Sequence, residues 1–289
     1  MPLRNSSGIV GERSSGVWTM RAKGMAVPVP RFERCAPTKA HMCATALHRA
    51  GYLSRVVTQN VDGLHGRAGT PAAFVSELHG TVFRETCENE ACAVTELVRD
   101  FDVTARKPHG GRHRHKTGRS CPGCGGDLRD VVVQFGERID DDVLARATEA
   151  SRDAKLSLVM GTSLKIPPAS RLPGLSEKTV IVNLQWTAED KRAALKMRAR
   201  CDDVLSAVCE TLGVAVPEYD PGADAIGARV LAAGETFARQ ARAGEPDVKV
   251  AALTSGKGGV VHALMSKRAR RMKNLSVPKP TRDGSDDKY

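Results

Sequence analysis

The sequence predicts an α/β protein built on a doubly wound parallel sheet, with one small module inserted into it. Three observations carry that expectation. Residues 53–58, 156–160 and 179–184 are near-continuous apolar runs of strand length, the pattern of parallel strands buried on both faces. Segments with helical spacing lie between them, and such alternation argues for crossover connections in one sheet. From about residue 86 to 125 the rhythm stops, and cysteines, histidines and basic residues take over.

Taken in order, residues 38–50 follow Pro37 and stop at Gly51, a residue suited to a helix end. The run 53–58 is the first strand. A fourth β-like run, 130–135, leaves the cysteine-bearing stretch. Residues 141–154 and 202–212 carry helical spacing, the second opening on acidic residues that suit the positive end of a helix. After Pro217 the pattern weakens: Asp220-Pro-Gly-Ala-Asp reads as a linker, 225–243 as a further helix and 266–289 as unstructured. No internal repeat is visible. The expected division is a main domain over 1–216, containing the inserted module and its following run in 80–135, and a flexible basic extension over 217–289.

A chain of 289 residues can bury a full core. Its net charge of +11 suits acidic company such as nucleic acid, chromatin or anionic cofactors, or else solvated basic faces. No stretch approaches the roughly 20 apolar residues that span a bilayer, and the amino terminus lacks the apolar core of a secretory signal. The expectation is a chain kept inside the cell, without a membrane partner, where thiols stay reduced. Its eight cysteines are then metal ligands, packing residues or loose thiols rather than disulfides.

Four of them form two close pairs. Cys87 and Cys92 are separated by four residues, and Cys121-Pro-Gly-Cys124 is a C-x-x-C. Each pair covers one edge of a tetrahedron, so together they complete a closed, structural Zn²⁺ site. A redox C-x-x-C and coincidence are the competing readings. His109, His113 and His115 lie between the pairs as possible substitutes for a cysteine. They sit among Arg106, Lys107, Arg112, Arg114, Lys116 and Arg119, a run without acids that reads as an exposed arm, either for phosphate contact or merely solvated.

The segment Thr58-Gln59-Asn60-Val61-Asp62-Gly63-Leu64-His65 follows a buried strand, where open α/β sheets place ligand-binding loops. It offers an amide and a carboxylate for hydroxyl and carboxamide groups. In Glu77-Leu78-His79-Gly80 the imidazole suits proton transfer near neutral pH, although a lone histidine is more often structural. These two segments resemble the sirtuin family. Val133-Gln-Phe-Gly-Glu137, Gly161-Thr-Ser-Leu164, Ile181-Val-Asn-Leu-Gln185 and Cys201-Asp-Asp-Val204 follow in that family's order. Gly16-Val-Trp-Thr-Met20, Phe101-Asp-Val-Thr, His115-Lys-Thr-Gly-Arg, Leu128-Arg-Asp, Phe135-Gly-Glu-Arg138 and Asn183-Leu-Gln-Trp-Thr187 look most like the sirtuin-seven type within the nuclear sirtuin-six and sirtuin-seven branch. The similarity runs from about Gly8 to Val216.

The resemblance implies a Rossmann-like catalytic domain that removes acyl groups from protein lysines with NAD. The acyl oxygen attacks the anomeric carbon of the nicotinamide ribose as nicotinamide leaves, and the matching histidine, His79, acts as general base. Gln59, Asn60 and Asp62 match residues lining the ribose and nicotinamide pocket. Gly161, Thr162 and Ser163 match the nucleotide-holding turn, while Asn183, Leu184, Gln185, Cys201 and Asp202 match the adenosine end. Val133, Gln134, Phe135 and Gly136 match the stretch that pairs with a substrate peptide by β-augmentation. The implied substrates are histones or other chromatin proteins.

The resemblance is incomplete. The family's opening strand and Gly-Ala-Gly-x-Ser turn, where a helix start receives the pyrophosphate, have no counterpart here, and Val10-Gly-Glu-Arg13 stands where the family has Pro-Asp-Phe-Arg. Two or three missing charged hydrogen bonds of about 1.5–3 kcal/mol each weaken NAD binding by several powers of ten. The intact remainder favours a chain that starts downstream of the turn over a degraded relative. The Cys87–Cys92 gap is also wider than the family's usual C-x-x-C. The alternative function is a catalytically impaired, zinc-bearing scaffold that binds chromatin or RNA through its basic segments. Lys267-Arg-Ala-Arg-Arg-Met-Lys273 reads as a nuclear or nucleolar address, a nucleic-acid contact or a solvated tail. Ser255-Gly-Lys-Gly-Gly259 echoes a phosphate loop but lacks its terminal Gly-Lys-Ser/Thr and is read as coincidence.

Overall fold

The computed structural model describes residues 31–105, 114–235 and 237. The amino-terminal segments 8–13 and 16–20, His109, His113 and most of the basic arm, and the segments 255–259 and 267–273 lie outside the described residues.

Helix α1 (Lys39–Arg49) begins where expected and ends before Gly51, which takes the left-handed φ of +76°. At its start the Asp202 carboxylate accepts hydrogen bonds from the Thr38 hydroxyl at 2.9 Å and the Ala40 N–H at 2.7 Å. An acid at the positive end of a helix is favourable, and this one arrives from a distant element. The long sides of α1 and the carboxyl-terminal helix α4 (Cys201–Leu212) meet through Ala40, Cys43, Leu47, Leu205 and Cys209.

The strands of the expected α/β fold are parallel, and among the described residues they form two ladders. β1 (Val56–Thr58) pairs with β2 (Val75–Glu77) in register. β7 (Ser157–Met160), β8 (Thr179–Val182) and β9 (Leu195–Met197) form the other ladder, with β8 central and Val180, Ile181 and Val182 buried. Among the described residues no strand bonds β1 to β7. Helix α3 (Asp141–Asp153) is capped by the Asp140 carboxylate on the Val143 N–H at 3.0 Å, and its buried Ala147 packs on Leu78 and Leu172. A four-residue helix, α2 (Leu64–Arg67), follows the loop after β1.

The inserted module is an antiparallel sheet in the order β4–β3–β6–β5, made of β3 (Arg84–Cys87), β4 (Leu97–Val98), β5 (Lys116–Ser120) and β6 (Asp127–Asp130). The strand expected over 130–135 therefore lies earlier. Beyond Asp130 the ladder ends because the next N–H groups find other acceptors: Val132 donates to Asp130 Oδ1 at 3.1 Å and Val133 to the His79 carbonyl at 3.1 Å.

Residues 217–235, expected within a flexible extension, pack onto the main body. Asp224 caps α5 (Ala225–Ala232) by accepting from the N–H groups of Ile226 and Gly227, and Ile226 and Val230 are buried. The helix stops well short of 243, with Gly234 at φ +65° and Glu235 paired to Arg34 at 2.8 Å. The anchor of this segment is Arg67. Its Nε donates to Asp224 at 2.7 Å, Nη1 to the Cys35 carbonyl at 2.6 Å, and Nη2 to the Tyr219 hydroxyl at 3.2 Å. No helix among the described residues is long and apolar enough to cross a membrane.

Candidate active site

In-register parallel pairing places the carboxyl ends of β1 and β2 side by side. The ladder runs one bond further, Leu78 N–H to the Thr58 carbonyl at 2.9 Å, and the chain then delivers Gln59 and His79 to the same spot. His79 Nδ1 lies 3.0 Å from the Gln59 carbonyl oxygen. A carbonyl only accepts, so Nδ1 carries the proton in the neutral ring and Nε2 keeps the lone pair. Burial pushes the imidazole down to about 4, so it is unprotonated at neutral pH.

The second ladder reaches this place through the turn after β7. Gly161 takes φ +62° and donates to the Val182 carbonyl, and the Thr162 hydroxyl meets Gln59 Oε1 at 3.4 Å. In the same turn Leu164 holds φ +53°, a conformation costing a leucine about 1–3 kcal/mol and concentrated at functional sites. A third segment arrives with the Val133 bond to His79. It lies flat on Gly80, whose φ is +67° and where any Cβ would sit 2.0 Å from the Val131 carbonyl oxygen. Gly80 is thus the residue that lets the 131–133 backbone approach the imidazole.

Asp62 is fully buried just behind the loop, its Oδ1 accepting from the Leu64 N–H at 3.2 Å. Burial raises its carboxyl to about 6. Its Oδ2 and His65 Nδ1 are buried with no hydrogen-bond partner among the described residues. Such orphans are costly unless a ligand or water meets them, and a carboxylate oxygen suits a hydroxyl or carboxamide donor. His65 packs at a tilt against His41 with ring centroids 4.7 Å apart, and burial pushes its ring down to about 4. From the sequence His65 stood out only as the end of the segment from Thr58, with no role of its own, and His41 did not stand out at all.

The remaining candidates lie along the second ladder, at the start of α4 and in the loops after β1 and β6. Asn183 follows β8, is buried, and is oriented by its Nδ2 bond to the Gln185 carbonyl at 3.0 Å. Leu184 is exposed, and Cys201 stands near Gly161, 3.8 Å from where a Cβ would lie. Asp202 has one carboxylate oxygen committed to the start of α1. Asn60 is held through its backbone N–H on the Thr58 hydroxyl, Ser163 is half-buried between Thr162 and Leu164, and Phe135 is exposed beside Gly136 at φ +95°.

The metal centre gathers all four expected cysteines. The sulfurs of Cys87, Cys92, Cys121 and Cys124 all lie within 4.8 Å of one another, with closest pairs at 3.5 and 3.7 Å. A tetrahedron with metal–sulfur bonds of about 2.3 Å has edges of about 3.8 Å, so the set fits zinc. Each sulfur also accepts one backbone N–H at 3.4 Å, from Asn89, Val94, Gly123 and Gly126 in turn, which orients it and favours the thiolate. The longer Cys87–Cys92 loop therefore brings both sulfurs into the cluster. His115 takes no part; it lies between Asp130 and Glu137. Elemental analysis should find one zinc per chain, and stripping it should lower Tm by on the order of 10 °C. An unchanged Tm in metal-free protein sinks the assignment.

At the described end of the basic arm Arg114 and Lys116 are exposed, and two of its basic side chains pair with acids. Lys116 pairs with Glu88 and Asp127, and Arg119 with the fully buried Glu85, which Arg99 also holds.

Residues 7–168 match the protein-family model described as the Sir2 family. The chain is 43% identical over 230 residues to the bovine NAD-dependent protein deacetylase sirtuin-7, covering 73% of this chain and 54% of that one. It is 39% identical over 288 residues to the human NAD-dependent protein deacetylase sirtuin-7, covering 90% and 69%. The chain thus spans about half the length of the bovine relative. Among solved structures, Sir2 bound to acetylated peptide superposes with a TM-score of 0.53 at 31% identity, covering 68% of this chain and 77% of that one.

Proposed function

The chain belongs to the Sir2 family, and from that footing we propose that it is an NAD-dependent protein-lysine deacylase. The observation that carries this reading is the convergence of Gln59, His79, Thr162 and Val133 from four separate segments, linked by hydrogen bonds of 3.0–3.4 Å. Loops at the carboxyl ends of parallel strands are where open α/β sheets take ligands. NAD, when bound, supplies the ADP-ribosyl acceptor for the acyl group and nicotinamide as the leaving group.

His79 accepts a proton at Nε2, its Nδ1–H fixed on the Gln59 carbonyl. The orphan Asp62 Oδ2 takes a hydroxyl or carboxamide donor of the dinucleotide. Gly161, Thr162 and Ser163 hold the nucleotide after β7, with Asn60 beside Gln59 and with Asn183, Leu184, Gln185, Cys201 and Asp202 towards the adenosine. Val133, Gln134, Phe135 and Gly136 offer backbone to the substrate peptide. Backbone pairing accepts many sequences, which suits a protein substrate.

The proposed catalytic unit is the body up to 216 with its inserted zinc module. The proposed setting is the nucleus or nucleolus, with histones or other chromatin proteins as substrates. The net charge of +11 and the basic run from Lys267 to Lys273 support it. The impaired-scaffold alternative is not favoured, since the relatives are named as deacetylases.

The test is nicotinamide release from NAD by the purified chain, matched mole for mole by deacetylation of an acetylated histone peptide. Release should require the acetyl group, and calorimetry should register NAD binding. Absence of both turnover and binding heat overturns the reading.

A further inference from the structure

We propose that His115 is a positioning residue for the substrate peptide: by bridging Asp130 and Glu137 it holds residues 131–136 in register with His79. The inference rests on the deacylase reading and extends it to a residue in the zinc module, outside the strand-end cluster.

β6 ends at Asp130, and among the described residues the ladder does not continue into 131–136. Alternate N–H groups are held instead by two carboxylates. Val132 donates to Asp130 Oδ1 at 3.1 Å, and Gln134 donates to Glu137 Oε2 at 2.7 Å. The intervening Val133 donates to the His79 carbonyl. A single imidazole joins the two carboxylates. His115 Nδ1 lies 3.2 Å from Asp130 Oδ1 and Nε2 lies 2.8 Å from Glu137 Oε1. The ring is largely buried, with 12% of its side chain exposed, and Asp130 is fully buried. Its backbone is tied as well, because the His115 carbonyl accepts from the Asp130 N–H at 2.9 Å.

Packing holds the segment on one side, where Val132 meets the cluster of Val61, Val82, Phe83 and Ile226. A cavity of about 300 Å³ lies against it, lined by His115, Asp130, Glu137 and Val131 to Val133. A backbone with open space beside it moves into that space when its polar tethers are cut. The clasp therefore sets where the peptide-pairing backbone sits relative to His79, and His115 itself leads into β5 of the sheet that bears the four cysteines.

The experiment compares the unmodified chain, His115→Ala and His115→Gln, with Tm monitored for each. Peptide and NAD affinities are measured separately, by anisotropy of a labelled acetyl-lysine peptide and by calorimetry, alongside KM and kcat. In His115→Ala the peptide Kd and KM should rise about tenfold, the weight of one charged hydrogen bond. NAD affinity and kcat should stay within about twofold by the same reckoning. Amide exchange at residues 132 and 134 should accelerate, and His115→Gln, which keeps an amide group near Glu137, should recover part of the loss. Unchanged peptide affinity overturns the proposal, and so does equal damage to peptide and NAD binding. If the unmodified chain binds peptide yet releases no nicotinamide, the enzymatic reading falls while the binding arm still decides the role of His115.

Discussion

Replacing His79 by glutamine should slow nicotinamide release and peptide deacylation by about 10²–10⁴-fold, the usual weight of a positioned general base. Glutamine retains an N–H for the Gln59 carbonyl but presents no lone pair of comparable basicity, so packing is kept while the proton acceptor is lost. Peptide and NAD affinity should change little. The pH profile supplies a second check. Burial holds the imidazole neutral down to about 4, so protonation of His79 removes activity only as pH falls towards that value. An acid limb near 6.5 that vanishes in the variant contradicts the observed burial. Near-normal turnover by the glutamine variant eliminates His79 as the base.

Truncating either side of the Arg67–Asp224 pair should cost about 3–5 kcal/mol, because it strands a charge in the interior. The two side chains are only 4% and 9% exposed, so water screens neither. The guanidinium also serves carbonyls at Cys35, Phe32 and Glu33 and the Tyr219 hydroxyl, so Arg67→Ala opens all of these at once. Against a typical stability of about 5–15 kcal/mol this is a large fraction, and Tm should fall by on the order of 10 °C. The double variant should lose less than the sum of the singles, since removing both charges leaves none unpaired. A Tm shift below about 2 °C for Asp224→Ala shows that residues 217–235 are not anchored to the body as described.

The site was more legible than the fold around it. Gln59, Asp62, His79, Thr162 and Val133 carry chemistry in recognisable local order, and four cysteines at short spacings announce their own convergence. Helices α1, α3 and α4 and the strands β1, β7 and β8 were readable from apolar runs, with boundaries moved by a few residues. The role of residues 217–235 was not readable, because a linker-like Asp-Pro-Gly and a short weak helix look the same whether or not a buried arginine waits for Asp224. His115 and Arg119 looked like members of a basic arm. Their partners Asp130, Glu137 and Glu85 lie between 15 and 34 residues away in sequence.

By itself the sequence determined the class of fold and the four cysteines that come together, and it named the side chains proposed here to react, since those follow from periodicity, spacing and functional groups that each segment carries alone. Tertiary structure alone decided which N–H meets which carboxylate, why Gly80 admits the 131–133 backbone, and that Arg67 binds the carboxyl-terminal segment to the body. The physical reason is range. Apolar periodicity acts over one turn or one strand, whereas a buried charge is satisfied by whatever partner the fold brings within about 3 Å, however distant in the chain.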